Sequence, residues 1–480
     1  FTWQRYGEYH GGRPCPPMSW PANYNRYAAA TMFSLFFGGN EFAPDLRIRG
    51  ESVQDWLQGR YIAAMRHCYR RLKNCSALAG WGTMNEPHPG FIGHRNLDSA
   101  ENPLIPLGPA PSPFQTMAAA GGYRVEAPVY GITPLGRRAI RRETMNPQGL
   151  SLFREGFCCP WKQAGVWDDQ GGKPRLLRKD HFARRRGRPL RFEDDFLKPF
   201  MIKFIEAMKE GRRGAVFFIE GPPNGGHPRW GKDDPADVVN AFHWYDGFSL
   251  YTRTFRPWFG FRADGRPVLG RKGMAAYYRD SLGRVLAWTR EKMGDMPCLL
   301  GEFGIPFNMN GGRAYRTGDY SVQEEALDFY YNALDEAGLH AAIWNYSTGH
   351  SREDGDGWNG EDNSIVTRDA AGKAQGRAMG GWLRPYPMAV AGIPLDCRWN
   401  RKTGVFRLRY RADPAITAPT EIFAPPEALG EKPVYDCRAD GKPLRIVYAA
   451  LRVLVYHDGY GGELELELRR TGESAGPNGK

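Results

Sequence analysis

The sequence predicts an α/β fold built from repeated strand–helix units and followed by a small antiparallel β domain. Three observations carry that expectation. Short apolar runs alternate with stretches of helical periodicity from about residue 51 to residue 383. The polar residues with chemical potential gather at the C-terminal ends of the apolar runs, where a (β/α) barrel builds its site. From about residue 386 the helical period stops and short alternating runs take over.

Residues 1–50 are rich in Gly, Pro and aromatics, with one apolar stretch from Ala28 to Phe37. Residues 51–73 place Val53, Trp56, Leu57, Tyr61, Ala64, Met65 and Cys68 three and four apart, which predicts a helix. Ala77 to Met84 reads as a buried strand ending at Asn85-Glu86. Residues 94–187 form a long Pro-, Gly- and Arg-rich insertion with little periodicity, read as a loop. Residues 192–211 return to a helix, with Phe196, Phe200, Phe204 and Met208 on one stripe. Strands are then predicted at Gly214 to Glu220, Val238 to Tyr245, Pro297 to Glu302 and Leu339 to Tyr346. Helices are predicted at Gly273 to Met293, Ser321 to Ala337 and Ala370 to Leu383. Beyond these, Val405 to Tyr410, Leu444 to Tyr456 and Leu464 to Leu468 are β-rich, with no helix between them.

Strands alternating with helices imply a parallel sheet. Five barrel strands are found where a closed barrel has eight. At roughly 30 residues per βα unit, residues 1–50 do not hold three more. The expectation is therefore an α/β (β/α)8 TIM barrel over residues 1–385, lacking its first three strands and carrying the insertion at about 94–187, plus a C-terminal antiparallel β-sandwich over residues 386–480. The start at Phe1, without a Met, fits a chain cut at its front.

The bulk numbers exclude little. The chain has 480 residues, 13% aromatics, 14 Trp and a formal charge of +12. Its densest basic run is Arg184-Arg185-Arg186-Gly187-Arg188, with Arg212 and Arg213 beyond. No nucleic-acid motif accompanies this charge, so it reads as a solvated face and no nucleic-acid partner is expected. Eight Cys show no paired C-x-x-C spacing. Cys298 reads as a buried thiol, and Cys397 and Cys437 are the two that could pair. No apolar run reaches membrane-spanning length and no signal peptide is visible, so the reading leans to a reduced, cytoplasmic setting.

Two glutamates carry the chemistry. Glu302, within Gly301-Glu302-Phe303-Gly304, follows the apolar Cys298-Leu299-Leu300, and its flanking glycines would let a substrate approach. Glu86, within Asn85-Glu86-Pro87, ends an earlier strand. Carboxylates at two strand mouths can form the pair that cleaves a glycosidic bond, one as nucleophile and one as a general acid whose pKa burial raises. The alternative for Glu302 is an ordinary strand-end carboxylate in a salt bridge, and for Glu86 a turn-capping Asn85 beside a solvated glutamate. His243 and Tyr245 share one face of their strand end, and a Tyr hydroxyl can orient a nucleophilic carboxylate. Trp344 closes the last strand and could floor a sugar ring. The acids of Gly355-Asp356-Gly357-Trp358-Asn359-Gly360-Glu361-Asp362 fail the EF-hand spacing. Bonds to sugar hydroxyls fit them better than a metal, and neither metal nor cofactor is expected.

Together these residues resemble glycoside hydrolase family 5. The family pattern is Asn-Glu-Pro, His-x-Tyr, Glu-Phe-Gly and Trp after successive strands. The chain has Asn85-Glu86-Pro87, His243-Trp244-Tyr245, Glu302-Phe303-Gly304 and Trp344 in that order. Residues 23–44, 80–93, 111–122 and 356–365 are further similar to the subfamily of glucosylceramidases and steryl β-glucosidases, with endoglycoceramidases as neighbours. The resemblance implies Glu86 as acid/base and Glu302 as nucleophile, with Asn85, His243, Tyr245, Trp344, Trp358, Asn359 and Glu361 binding substrate. It implies a retaining β-glycosidase acting on a glucoside or glycolipid with a hydrophobic aglycone, with peripheral membrane contact and no obligate protein partner. An endo-acting glycosidase and a catalytically impaired sugar- or lipid-binding fragment are the rival readings. The insertion would meet the aglycone, with Trp161 and Trp167 as candidates for an apolar wall or for core packing. The family's Arg on the second strand and His at the end of the third would lie upstream of Phe1.

Overall fold

The computed structural model describes residues 26–99, 108–133, 136–185, 187–209, 214–357, 360–369 and 371–471. They fall into two compact units, the first Phe1–Trp244, Leu286–Gly301 and Trp358–Glu361, the second Tyr245–Val285, Glu302–Gly357 and Asp362–Lys480.

The first unit opens on helix α1 (Tyr27–Phe42) and helix α2 (Val53–Leu72). The apolar stretch seen in the sequence, Ala28 to Phe37, thus starts one residue into a helix whose N-cap, Arg26, makes no side-chain capping bond to announce it. In α2 the Ser52 hydroxyl accepts the Asp55 N–H, Asp55 lies in the first turn, and Arg70 and Arg71 lie in the last. These charges match the helix macrodipole. The stripe predicted over 192–211 begins as a π turn (Glu193–Leu197) and continues as helix α3 (Lys198–Lys209). Phe196, Phe200, Phe204 and Met208 are all buried, in one cluster with Phe37 and Phe42.

Strands β1 (Gly80–Gly82), β2 (Val216–Ile219), β3 (Val238–His243) and β4 (Cys298–Phe303) follow that order across the sheet. β1 and β3 pair parallel with β2, Phe217 facing Trp81 on one side and Val238 on the other. The Asn240 N–H donates to the Pro297 carbonyl at 2.9 Å, tying β3 to the entry of β4. β1 is shorter than the expected Ala77 to Met84. Among the described residues it pairs only with β2, so half of its backbone groups have no ladder to extend.

The insertion is not a bare loop. It holds a three-stranded antiparallel sheet of Gly108–Pro109, Val125–Thr133 and Gly136–Met145. It also holds helix Pro113–Ala120, opened by a Ser112–Gln115 capping box. The last strand of this ribbon was hidden because Arg138 to Arg142 are exposed on both faces and no apolar alternation marks them, while its partner buries Ala127 and Val129 and exposes Glu126. Trp161 is 0% exposed and donates from Nε1 to Thr31 at 3.0 Å, and Trp167 is 1% exposed. Both are core residues, which removes them as an exposed apolar wall. The basic run is a hairpin in which Arg188 and Arg185 pair with Asp195, and Arg185 with Glu41 as well.

The second unit carries helix Ser321–Ala337 with the predicted bounds, ended by Gly338 at φ 61°. The expected helix Ala370 to Leu383 is instead a hairpin, Val366–Arg368 with Ala374–Gly376, and a short helix, Met379–Trp382. Asp369 explains the change. Its side chain accepts the N–H groups of Ala371 and Lys373, which closes a turn where the helix would have run.

The C-terminal strands form two antiparallel sheets. One has the order Tyr386–Ala389, Thr420–Phe423, Arg452–Tyr456, Arg445–Ala449. The other has the order Gly392–Asn400, Val405–Ala412, Glu463–Arg469, Val434–Ala439, Lys442–Pro443. Phe406, Leu408 and Tyr410 alternate inward and share a buried cluster with Ile422, Val453, Val455 and Leu466. Cys397 faces Leu408, which faces Leu466, which faces Cys437. Three strand spacings, about 14 Å, separate the two thiols, beyond disulfide reach. Both are free, and Cys298 is half-buried. Among the described residues no helix is long and apolar enough to cross a membrane.

Candidate active site

In the first unit, β1 delivers Glu86. The Thr83 N–H bonds the Phe218 carbonyl at 3.0 Å, keeping the chain in register just past the strand. Glu86 then adopts φ 44°, a left-handed conformation. For a residue with a Cβ this costs on the order of 1–3 kcal/mol, and such strain concentrates at functional sites. The side chain is driven inside: Glu86 is 4% exposed, and burial pushes its pKa from 4.5 to about 8. A carboxyl group in that state is protonated at neutral pH and can act as an acid. The neighbouring Asn85 is exposed.

His243 ends β3 and is buried. Its Nδ1 lies 3.0 Å from Glu86 Oε1 and its Nε2 lies 3.2 Å from Glu220 Oε2. The Glu86 N–H donates to that same Glu220 oxygen at 3.1 Å. Glu220 is 8% exposed and was not singled out as a site residue from sequence. It follows the apolar β2 directly, the same strand-end position that marks Glu86 and Glu302, so the signal was present. His88, two residues after Glu86, is also buried, and burial lowers its pKa to about 3, so it is neutral.

In the second unit, Glu302 is half-buried near the end of β4. The Tyr245 hydroxyl donates to its Oε1 at 2.5 Å, as the shared face of His243 and Tyr245 led us to expect for the Tyr. The flanking glycines have a different role from the one expected. A Cβ on Gly301 would lie 2.9 Å from the Ala241 carbonyl oxygen, and one on Gly304 would meet the Trp344 carbonyl. They admit close backbone neighbours, which is sufficient reason for glycine at both places. Trp344 follows strand β5 (His340–Ile343), is half-buried, and donates its N–H to the Phe303 carbonyl at 2.7 Å.

The acidic loop after β5 spends its aspartates internally. Asp356 accepts from Asn345 Nδ2 (2.9 Å) and from the N–H groups of Asn363 (2.9 Å) and Ser364 (3.1 Å). Asp362 is paired with Arg377 (2.7 Å), lies 2.9 Å from His350 Nε2, and accepts the Tyr315 hydroxyl. These aspartates brace the loop and do not wait for sugar hydroxyls. Glu361, in the first unit, is buried. Trp358 and Asn359 lie outside the described residues.

Residues 384–451 match the glycoside hydrolase family 5 C-terminal domain. A glucosylceramidase of Rhizopus delemar is 31% identical over 453 residues, covering 87% of this chain and 66% of that protein. An ergosteryl-beta-glucosidase of Saccharomyces cerevisiae is 31% identical, covering 74% of this chain and 52% of that protein. The chain thus spans between about half and just under two thirds of the length of these curated relatives. Among solved structures, sterylglucosidase 1 of Cryptococcus neoformans superposes with a TM-score of 0.87 at 25% identity, covering 95% of this chain and 73% of that one. Residues 384–451 thus carry the glycoside hydrolase family 5 C-terminal domain, and the chain is homologous to glucosylceramidases and steryl glucosidases.

Proposed function

We propose that the chain is a retaining β-glucosidase acting on a glucoside with a lipid-like aglycone, of the steryl glucoside or glucosylceramide type. Glu302, oriented by the Tyr245 hydroxyl, attacks the anomeric carbon. Glu86 gives its proton to the leaving oxygen, and the carbon–oxygen bond breaks. Water then attacks the glycosyl–Glu302 ester, losing a proton to Glu86, and the sugar leaves with its configuration retained. The observation that carries this reading is the contrast between the two carboxyl groups: Glu86 buried and protonated, Glu302 half-buried and held by a hydroxyl donor. Trp344 is the proposed sugar platform, and Asn85, Glu361, Trp358 and Asn359 are proposed substrate contacts. Residues 1–385 form the catalytic domain and 386–480 a β-sandwich in this reading.

The test is hydrolysis of steryl and aryl β-glucosides by the chain, followed by NMR of the first-formed anomer. Release of β-glucose, abolished in Glu302→Gln, is expected. Release of α-glucose would defeat the retaining mechanism. Turnover of a longer glycan chain with the monoglucoside left intact would favour an endo-acting enzyme. A crystal structure should place the two carboxyl groups about 5–5.5 Å apart.

A further inference from the structure

Both ring nitrogens of His243 face carboxylate oxygens, Nδ1 at Glu86 and Nε2 at Glu220. A neutral imidazole has one N–H and one acceptor nitrogen, so it cannot donate to both. Three arrangements contain the same number of protons. In the first, Glu86 is protonated and donates to Nδ1, while Nε2–H donates to an ionised Glu220. In the second, Glu220 is protonated and donates to Nε2, while Nδ1–H donates to an ionised Glu86. In the third, an imidazolium lies between two carboxylates. All three side chains are buried. The third holds three buried charges and the others one each, so desolvation rules it out. Between the first two, the Glu86 N–H donated to Glu220 favours the charge on Glu220, and Glu86 is the more buried of the two, which selects the first.

We propose that Glu220 is a positioning residue for the acid/base step: by accepting the hydrogen bond from Nε2–H of His243 it keeps the ring proton on Nε2 and leaves Nδ1 as the acceptor that holds Glu86 protonated. The inference rests on the reading of Glu86 as the acid/base. Glu220 acts twice, because the oxygen that faces Nε2 also accepts the Glu86 backbone N–H. That bond fixes the left-handed turn from which the Glu86 side chain projects. When Glu86 gives its proton to the leaving oxygen, His243 stays neutral and its Nε2–H stays on Glu220. When water attacks, its proton returns to Glu86, and the starting arrangement is restored with no net change.

Among the described residues of the first unit, Tyr61 feels the Glu220 charge, and His88 lies two residues after Glu86. Tyr61, on α2, donates its hydroxyl to the Thr83 carbonyl at 2.9 Å. Burial first, and the Glu220 charge second, push it up to about 12, so it is neutral. His88 is neutral too, and its Nδ1 accepts the Gly90 N–H at 3.0 Å. Glu302 enters through the proposed mechanism, as the group whose ionisation sets the acid limb of the rate profile.

The test compares Glu220→Gln with the unchanged chain on two substrates, a steryl β-glucoside and 2,4-dinitrophenyl β-glucoside. The second leaving group departs without a proton. Glu220→Gln should lose at least about tenfold more kcat/KM on the steryl glucoside than on the activated one. Its alkaline limb should fall by about one pH unit, because a neutral amide no longer opposes ionisation of Glu86. Equal losses on both substrates, with the alkaline limb unmoved, would overturn the proposal and leave Glu220 a packing residue. Glu302→Gln separates the two levels: if that variant still turns over both substrates, the function reading itself has failed. Where turnover or folding of Glu220→Gln fails, the ring ¹⁵N shifts of His243 in the unchanged chain decide. A protonated Nε2 with an acceptor Nδ1 supports the proposal, and a protonated Nδ1 overturns it.

Discussion

Glu86 and Glu302 are the same amino acid at the same kind of place, just after or near the end of a sheet strand, yet their surroundings differ in almost every respect. Glu86 sits on a strained left-handed residue, is almost fully buried, and faces an imidazole and the neighbourhood of a third carboxylate. Glu302 sits on regular extended backbone, is half-buried, and accepts a phenol hydroxyl. Burial raises the cost of charge on Glu86, whereas a hydroxyl donor favours charge on Glu302. The backbone places both groups, and the immediate neighbours create the contrast on which the proposed roles rest.

The strongest way to break that comparison is to remove the charge that the Glu302 surroundings favour. Glu302→Gln should lower kcat at least about ten-thousandfold on every substrate, because no leaving group compensates for a missing nucleophile. Glu86→Gln should behave differently. On a steryl glucoside the expected loss is about 10²–10⁴-fold, the range for a general acid. On 2,4-dinitrophenyl β-glucoside the first step should be nearly spared. With Glu86 titrating near 8, kcat/KM on the steryl glucoside should fall as pH rises through that value. A loss of equal size on both substrates would mean that the two glutamates do not have distinct roles.

Tyr245→Phe sharpens the comparison on the Glu302 side. It removes one hydrogen bond to a charged group, worth about 1.5–3 kcal/mol. The expected fall in kcat is therefore about tenfold to a hundredfold, on both substrates alike. An unchanged kcat would show that the Tyr245 hydroxyl does not orient Glu302.

The same contrast explains what could be seen in advance. Glu86, His243, Tyr245, Glu302 and Trp344 were legible because each lies at or beside the end of an apolar run, and strand ends are short-range features of sequence. Glu220 has the same position but no motif around it, and its importance comes from Glu86 and His243, which are far away in the chain. Helix Ser321–Ala337 has the bounds expected from sequence, and Gly338 at φ 61° ends it. The hairpin at Val366–Gly376 was not expected, because the Asp369 side-chain bonds that close its turn outweigh a helix-friendly composition. The last strand of the insertion ribbon escaped notice because Arg138 to Arg142 are exposed on both faces and leave no alternation to read, whereas its partner, with Ala127 and Val129 buried and Glu126 exposed, carried a short alternation.

The smallest predicted effect concerns stability, and its sign is opposite to the effect on activity. Glu86 has its pKa raised on folding, from 4.5 to about 8. Below the unfolded value the group is protonated in both states and contributes no pH dependence. Between the two values the unfolded chain releases the proton and the folded chain keeps it, so stability falls as pH rises, and it levels off above about 8. The full span is on the order of a few kcal/mol. Glu86→Gln keeps the shape and removes the titration. Its thermal melt should match that of the unchanged chain near pH 4, and it should be more stable by about 1–3 kcal/mol near pH 8.5. A gap that is constant across this range would mean that Glu86 is not held protonated by the fold. A gap that grows with pH would identify the acid half of the pair as the half that the fold strains to keep.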